Sequence, residues 1–194
     1  MYQRKDSFYR KAKAAGLRSR AAFKIDELAR GVVRAGDRVL DLGAWPGGWL
    51  QIISRLVGPR GLAVGVDLVK IAPLGLANVR VIQGDVSDPA TLVEIRGALA
   101  GAADVVLSDM APKLSGIRDR DRARAEELAR LAFGVARQLL RPGGSFLCKL
   151  FMAPDLRPFL EEVRSSFEEV STMRPEASRK GSAEIYLIAR GLRA

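Results

Sequence analysis

Short apolar runs alternate with segments of helical period along most of the chain. Arg38-Val39-Leu40-Asp41-Leu42, Leu62-Ala63-Val64-Gly65-Val66-Asp67, Val79-Arg80-Val81-Ile82 and Asp104-Val105-Val106-Leu107-Ser108 are rich in branched apolar residues and predict four buried strands. Gly144 to Phe151 predicts a fifth, Glu169 to Arg174 a weaker sixth and Ala183 to Ala189 a last. Helices are predicted over Pro46 to Val57, where Gly58-Pro59 ends the pattern, and over 89–100, 120–140 and 155–167. Ahead of the first strand, Ser19 is placed to cap a helix running to about Arg30, with Ala22, Ile25, Leu28 and Ala29 three and four residues apart. Such alternation implies a mostly parallel sheet covered on both faces, with ligands bound beyond the carboxyl ends of the strands. No repeat or interior linker interrupts it, so a single domain is expected over 19–194, preceded by an extension over 1–18.

Composition adds a partner and removes several chemistries. In 194 residues, 32 Lys plus Arg stand against 22 Asp plus Glu, a net charge of +10 that calls for a polyanionic partner. Most of the excess sits at the start, where Arg4, Lys5, Arg10, Lys11, Lys13, Arg18, Arg20 and Lys24 face Asp6 alone. Tyr2, Phe8 and Tyr9 are interleaved with them, so the extension offers phosphate charges and rings for stacking on unpaired bases, and it is the expected RNA-binding element. The chain has no histidine and one cysteine, Cys148, which excludes His-dependent nucleophilic catalysis, His zinc sites and internal disulfides. No metal is expected, and acid–base work falls to Lys, Asp, Glu or Tyr. With no apolar run of membrane-spanning length and no secretory leader, a cytosolic, membrane-free protein is expected, as a monomer.

The candidate ligand elements lie where the first three strands end. Asp41-Leu42-Gly43-Ala44-Trp45-Pro46-Gly47-Gly48-Trp49 is a glycine turn opening a helix, and Trp45 stands where a dinucleotide fingerprint needs glycine, which disfavours nicotinamide or flavin. Asp67, at the end of the second strand, is placed to accept from ribose hydroxyls, and Asp85, after the third, from an adenine amino group. Either acid alone also suits a helix cap.

These segments, with Gly65-Val66-Asp67-Leu68, Gly84-Asp85-Val86 and Leu107-Ser108-Asp109-Met110-Ala111-Pro112, resemble the S-adenosylmethionine motifs of the FtsJ/RrmJ-type (RlmE family) ribosomal RNA 2′-O-methyltransferases. The likeness extends to Leu17 through Lys24, Gly143 through Lys149 and Ser178 through Tyr186, covering about residues 7–191. It departs at Trp45, where the family usually has a small residue, and at Met152-Ala153-Pro154, where a glycine-containing loop is common. The resemblance implies a Rossmann-like α/β fold, a seven-stranded sheet ordered 3-2-1-4-5-7-6 with the last strand antiparallel. It implies S-adenosylmethionine bound by Gly43, Ala44, Pro46, Gly47, Gly48, Trp49, Asp67, Leu68, Asp85, Val86 and Asp109. It also implies a catalytic tetrad of Lys24, Asp109, Lys149 and Glu184 acting on a ribose 2′-hydroxyl, a uridine's, in large-subunit ribosomal RNA, free or in the assembled subunit.

Topology supports the tetrad independently. Asp109 and Lys149 follow or end the fourth and fifth strands, an antiparallel last strand would start at the same edge with Glu184, and Lys24 enters from the helix before strand one. Strand alternation turns Cys148 away from Lys149. The 2′-hydroxyl is a poor nucleophile until its proton leaves, which suits Lys149 as base, with Lys24 and partial burial disfavouring a second charge. A charged Lys149 steering the incipient alkoxide is the alternative. Asp109 and Glu184 are expected to orient the lysines and the hydroxyl. Other functions within reach of this sequence are transfer RNA ribose methylation, a catalytically silent RNA-binding module and small-molecule methylation, the last disfavoured by the basic extension.

Overall fold

The computed structural model describes residues 7–113, 115–152, 156–176, 178 and 183–194. Its elements are α1 (Ser7–Ala14), α2 (Ala22–Leu28), β1 (Arg38–Leu42), α3 (Gly48–Val57), β2 (Leu62–Asp67), β3 (Val79–Gln83), α4 (Pro89–Leu99), β4 (Ala103–Ser108), α5 (Arg118–Leu139), β5 (Leu140–Phe151), α6 (Arg157–Ser166), β6 (Phe167–Met173) and β7 (Glu184–Leu192). The strands form one sheet ordered β3-β2-β1-β4-β5-β7-β6, parallel except where β7 pairs with β5 and β6. This is the expected sheet order and the expected antiparallel strand.

Alternation along each strand divides the core into two layers. Leu40, Val64, Val106, Phe146 and Leu187 face α4, α5 and α6, whereas Val39, Ala63, Leu107, Leu147 and Ile188 face α2 and α3. On the first side Phe133 of α5 meets Phe146 at 5.9 Å and Phe159 edge-on at 5.9 Å, which holds α5 firmly against the sheet. Cys148 belongs to this layer, opposite to Lys149, and burial pushes its thiol up to about 12.

Several boundaries differ from the sequence reading. Ser19 does not cap α2: the helix starts at Ala22 with no side-chain cap, and Ser19 lies close against Gly48, where any Cβ would strike its hydroxyl. Likewise α3 starts at Gly48 rather than Pro46, because Gly47 takes the left-handed φ of 103° that turns the loop into the helix. β5 begins at Leu140, four residues early, since Leu140 pairs with Ala103 before the chain bulges through Gly143 and resumes pairing at Ser145.

The described part of the N-terminal extension is docked rather than detached. α1 is followed by the left-handed Gly16, and Ala12 and Leu17 are buried in the layer beneath α2 and α3. Gln51 of α3 clamps the following turn, donating to the Gly16 carbonyl at 3.0 Å and accepting from the Arg18 amide at 2.8 Å.

Candidate active site

Three of the candidate side chains reach one place because they share a sheet face. Lys149 and Tyr186 are directly opposite on β5 and β7, and Glu184 lies two residues before Tyr186. All three therefore turn toward the layer from which α2 presents Lys24. Lys149 donates to the Asp109 carbonyl at 2.7 Å and to its carboxylate at 2.9 Å. Lys24 is paired with Glu184 and lies 3.4 Å from the Tyr186 hydroxyl. That hydroxyl donates in turn to Asp109 at 2.9 Å. Lys24 and Lys149 are both buried, and Asp109 and Glu184 are only partly exposed, so the two ion pairs form one largely desolvated network.

Tyr186 is not among the residues that the sequence singles out, yet it bridges the two pairs. Its signal lies in Glu184-Ile185-Tyr186, because strand period places the first and third residues on one face. Its burial and the neighbouring Asp109 and Glu184 carboxylates raise the phenol's pKa, so it remains a donor at all ordinary pH.

Beside this network a cleft of about 490 Å³ opens over the carboxyl ends of β1 to β4, a volume suited to a nucleoside-sized ligand. Of the expected cofactor residues, Gly43, Asp67, Leu68, Asp85, Val86 and Asp109 line it, together with Trp45 and, from α5, Leu128 and Leu131. Asp109 therefore belongs to both the cleft and the network. Gly43, at φ 80°, has no room for a side chain: a Cβ would stand 2.9 Å from Met110 Cγ and 3.0 Å from its amide. Asp67 accepts from the Trp45 amide at 2.9 Å and the Val69 amide at 2.8 Å, fixing its carboxylate at the cleft wall. Asp85 accepts from the Ser87 amide and hydroxyl, bonds that hold its pKa below the usual carboxylate value and keep it anionic.

The other expected cofactor residues stand apart. Ala44, Pro46, Gly47 and Gly48 are not among the residues lining the cleft. Trp49 is buried, its indole donating to the Ala21 carbonyl at 2.9 Å and its ring 6.1 Å from that of Tyr186. The indole exposed at the cleft is Trp45 instead. Behind the loop, Asp41 is fully buried with both carboxylate oxygens unpartnered among the described residues. Desolvation, followed by the charges of Asp109 and Asp67, raises its pKa well above the carboxylate range. Sequence alone passes over Asp41 because a strand acid before a glycine turn also reads as turn chemistry.

The expected RNA-binding residues divide. Arg10, Lys11 and Lys13 are on the solvent side of α1, whereas Arg18 is committed to structure, donating to the Ala72 and Pro73 carbonyls at 2.6 Å and to Pro46 at 3.2 Å. Arg20 is half-buried. Arg4 and Lys5 lie outside the described residues.

A family profile described as FtsJ-like methyltransferase matches residues 17–192. The ribosomal RNA large subunit methyltransferase E of Methanothrix thermoacetophila is 50% identical over 190 residues, 97% of this chain and 73% of that one. Its namesake from Syntrophobacter fumaroxidans is 45% identical over 99% of this chain and 98% of its own. Among solved structures, a ribosomal RNA methyltransferase from Plasmodium falciparum superposes with a TM-score of 0.78 at 25% identity, covering 90% of this chain and 98% of that one. With a sheet of this order, a cleft at its carboxyl edge and a lysine–carboxylate network beside it, the chain belongs to the FtsJ-like methyltransferase family.

Proposed function

We propose that this methyltransferase uses S-adenosylmethionine to methylate a ribose 2′-hydroxyl, a uridine's, in large-subunit ribosomal RNA. One electrostatic observation carries the reading: an acidic cleft lies within a strongly basic protein. Asp67, Asp85 and Asp109 line it, in a chain of net charge +10. Three carboxylates at its wall suit a cationic ligand, as S-adenosylmethionine is, and the glycine cradle at Gly43 lets backbone approach it. Asp67 and Asp85 would hold its ribose and adenine. When bound, the cofactor supplies an electrophilic methyl group on sulfur.

The chain's own residues then prepare the acceptor. Lys149 uses two N–H bonds on Asp109, leaving one valence of its nitrogen for the substrate hydroxyl. As an amine it accepts the hydroxyl proton, and as an ammonium it stabilises the developing alkoxide. Asp109 and Tyr186 fix the lysine's direction, while Glu184 holds Lys24 beside them. Ribosomal RNA is the substrate class in the relatives' name, and the exposed charges of α1 would meet its phosphates. Transfer of labelled methyl groups to a panel of ribosomal RNAs, transfer RNAs and ribosomal particles, followed by nucleoside mapping, tests this. A 2′-O-methylated uridine in large-subunit RNA is expected; label confined to bases, to transfer RNA or to protein contradicts it.

A further inference from the structure

We infer that the first two turns of α5 form a second phosphate-binding face for the RNA, on the opposite side of the sheet from α1. This face presupposes the proposed RNA substrate. Leu128 and Leu131 of α5 line the cleft. Arg124 and Arg120 stand one and two turns before Leu128, so they prolong the same helix face past the cleft mouth. Both are exposed, as are Lys113 and Arg118.

The local acids offset this group only in part, Asp121 being near enough to Arg124 for their charges to interact. Asp121 is occupied by the loop, accepting from the Ser115 amide at 2.8 Å, the Ser115 hydroxyl at 2.7 Å and the Gly116 amide at 3.1 Å. Asp119 pairs with Arg122 at 3.7 Å. Arg118 and Arg120 make no ion pair among the described residues. The Asp121 bonds also fix the loop leading into the helix, so the arginines project from an anchored frame rather than a loose tail. Arginine forks suit phosphate oxygens.

The layering gives this face its meaning. α1 belongs to the layer of α2 and α3, on whose side the Lys149 network lies near the carboxyl ends of the strands, and α5 to the other. An RNA strand crossing those strand ends would meet basic groups on both flanks of the target ribose, which limits its freedom to slide away from Lys149.

The test compares the full-length protein with its Arg118→Gln/Arg120→Gln/Arg124→Gln variant, measuring affinity for a large-subunit ribosomal RNA transcript across salt concentrations. Each arginine–phosphate pair removed should lower the log–log slope by about 0.7–0.9, so a fourfold rise in salt weakens binding about threefold less per pair. S-adenosylmethionine affinity by calorimetry and the melting temperature should not change. Superimposable salt lines overturn the inference, as would be seen if these arginines served an acidic protein instead. Loss of ribose methylation is a separate matter: a wild type that binds the transcript without methylating ribose contradicts the proposed function, while an arginine-dependent slope in that protein still supports this face.

Discussion

Lys149 and Asp109 are joined twice, through the main-chain carbonyl and the carboxylate, and Asp109 is also part of the cleft wall. In the proposed mechanism one residue thus borders both donor and acceptor. Asp109→Ala should therefore weaken S-adenosylmethionine binding, by about 1–3 kcal/mol for removing the partner of a buried polar group, and also abolish methyl transfer. Calorimetry and transfer assays on this variant check both effects; unchanged cofactor affinity would confine Asp109 to the lysine network.

Tyr186 supplies a hydroxyl rather than a charge. In Tyr186→Phe the ring remains packed against Trp49, but Asp109 loses a donor and Lys24 a neighbour. Hydrogen bonds to charged groups contribute about 1.5–3 kcal/mol, so single-turnover transfer should fall roughly 10- to 100-fold with cofactor affinity retained. Wild-type rates in this variant would make the bridge dispensable.

Asp41 makes stability depend on pH. Its raised pKa means that the folded protein keeps a proton that the unfolded chain releases above the ordinary carboxylate range. Stability is therefore lost as pH rises from about 4 toward the raised value. Asp41→Asn carries no such cost, so without cofactor it should melt above the wild type at neutral pH, by about 2–4 °C for each kcal/mol removed, and the gap should close on acidification. Parallel melting curves across pH would show that Asp41 has a partner in solution.

The two tryptophans report separately. Trp45 is 56% exposed at the cleft and Trp49 only 4% exposed. Cofactor binding should change the emission of Trp45, and Trp45→Phe should remove the change. A signal that survives in Trp45→Phe would assign it to Trp49 and move the ligand away from Trp45.

The strands and the convergence of the tetrad are legible in the sequence because apolar runs mark strands and period two decides which side chains share a face. The order of the strands is legible only through the family motifs. Lys149 is hard to place on a surface between Cys148 and Leu150, both buried. What escapes the sequence depends on packing between distant segments. Trp49 resembles a ligand residue in the motif, but the first turn of α3 buries it against Ala21 and Tyr186. Arg18 counts as one more positive charge until the carbonyls of Pro46, Ala72 and Pro73 surround it. Asp41 and Tyr186 emerge only when neighbouring strands are paired, since the unpartnered acid and the bridging hydroxyl are properties of that pairing.

In the proposed mechanism Lys149 works on the acceptor hydroxyl while the acidic cleft holds the donor, a division of labour that can be measured in a single variant. Methyl transfer by Lys149→Ala is followed at saturating ribosomal RNA, beside its S-adenosylmethionine affinity. No detectable transfer is predicted, with cofactor affinity close to wild type. Near-wild-type turnover would contradict both the proton-accepting and the steering roles of Lys149.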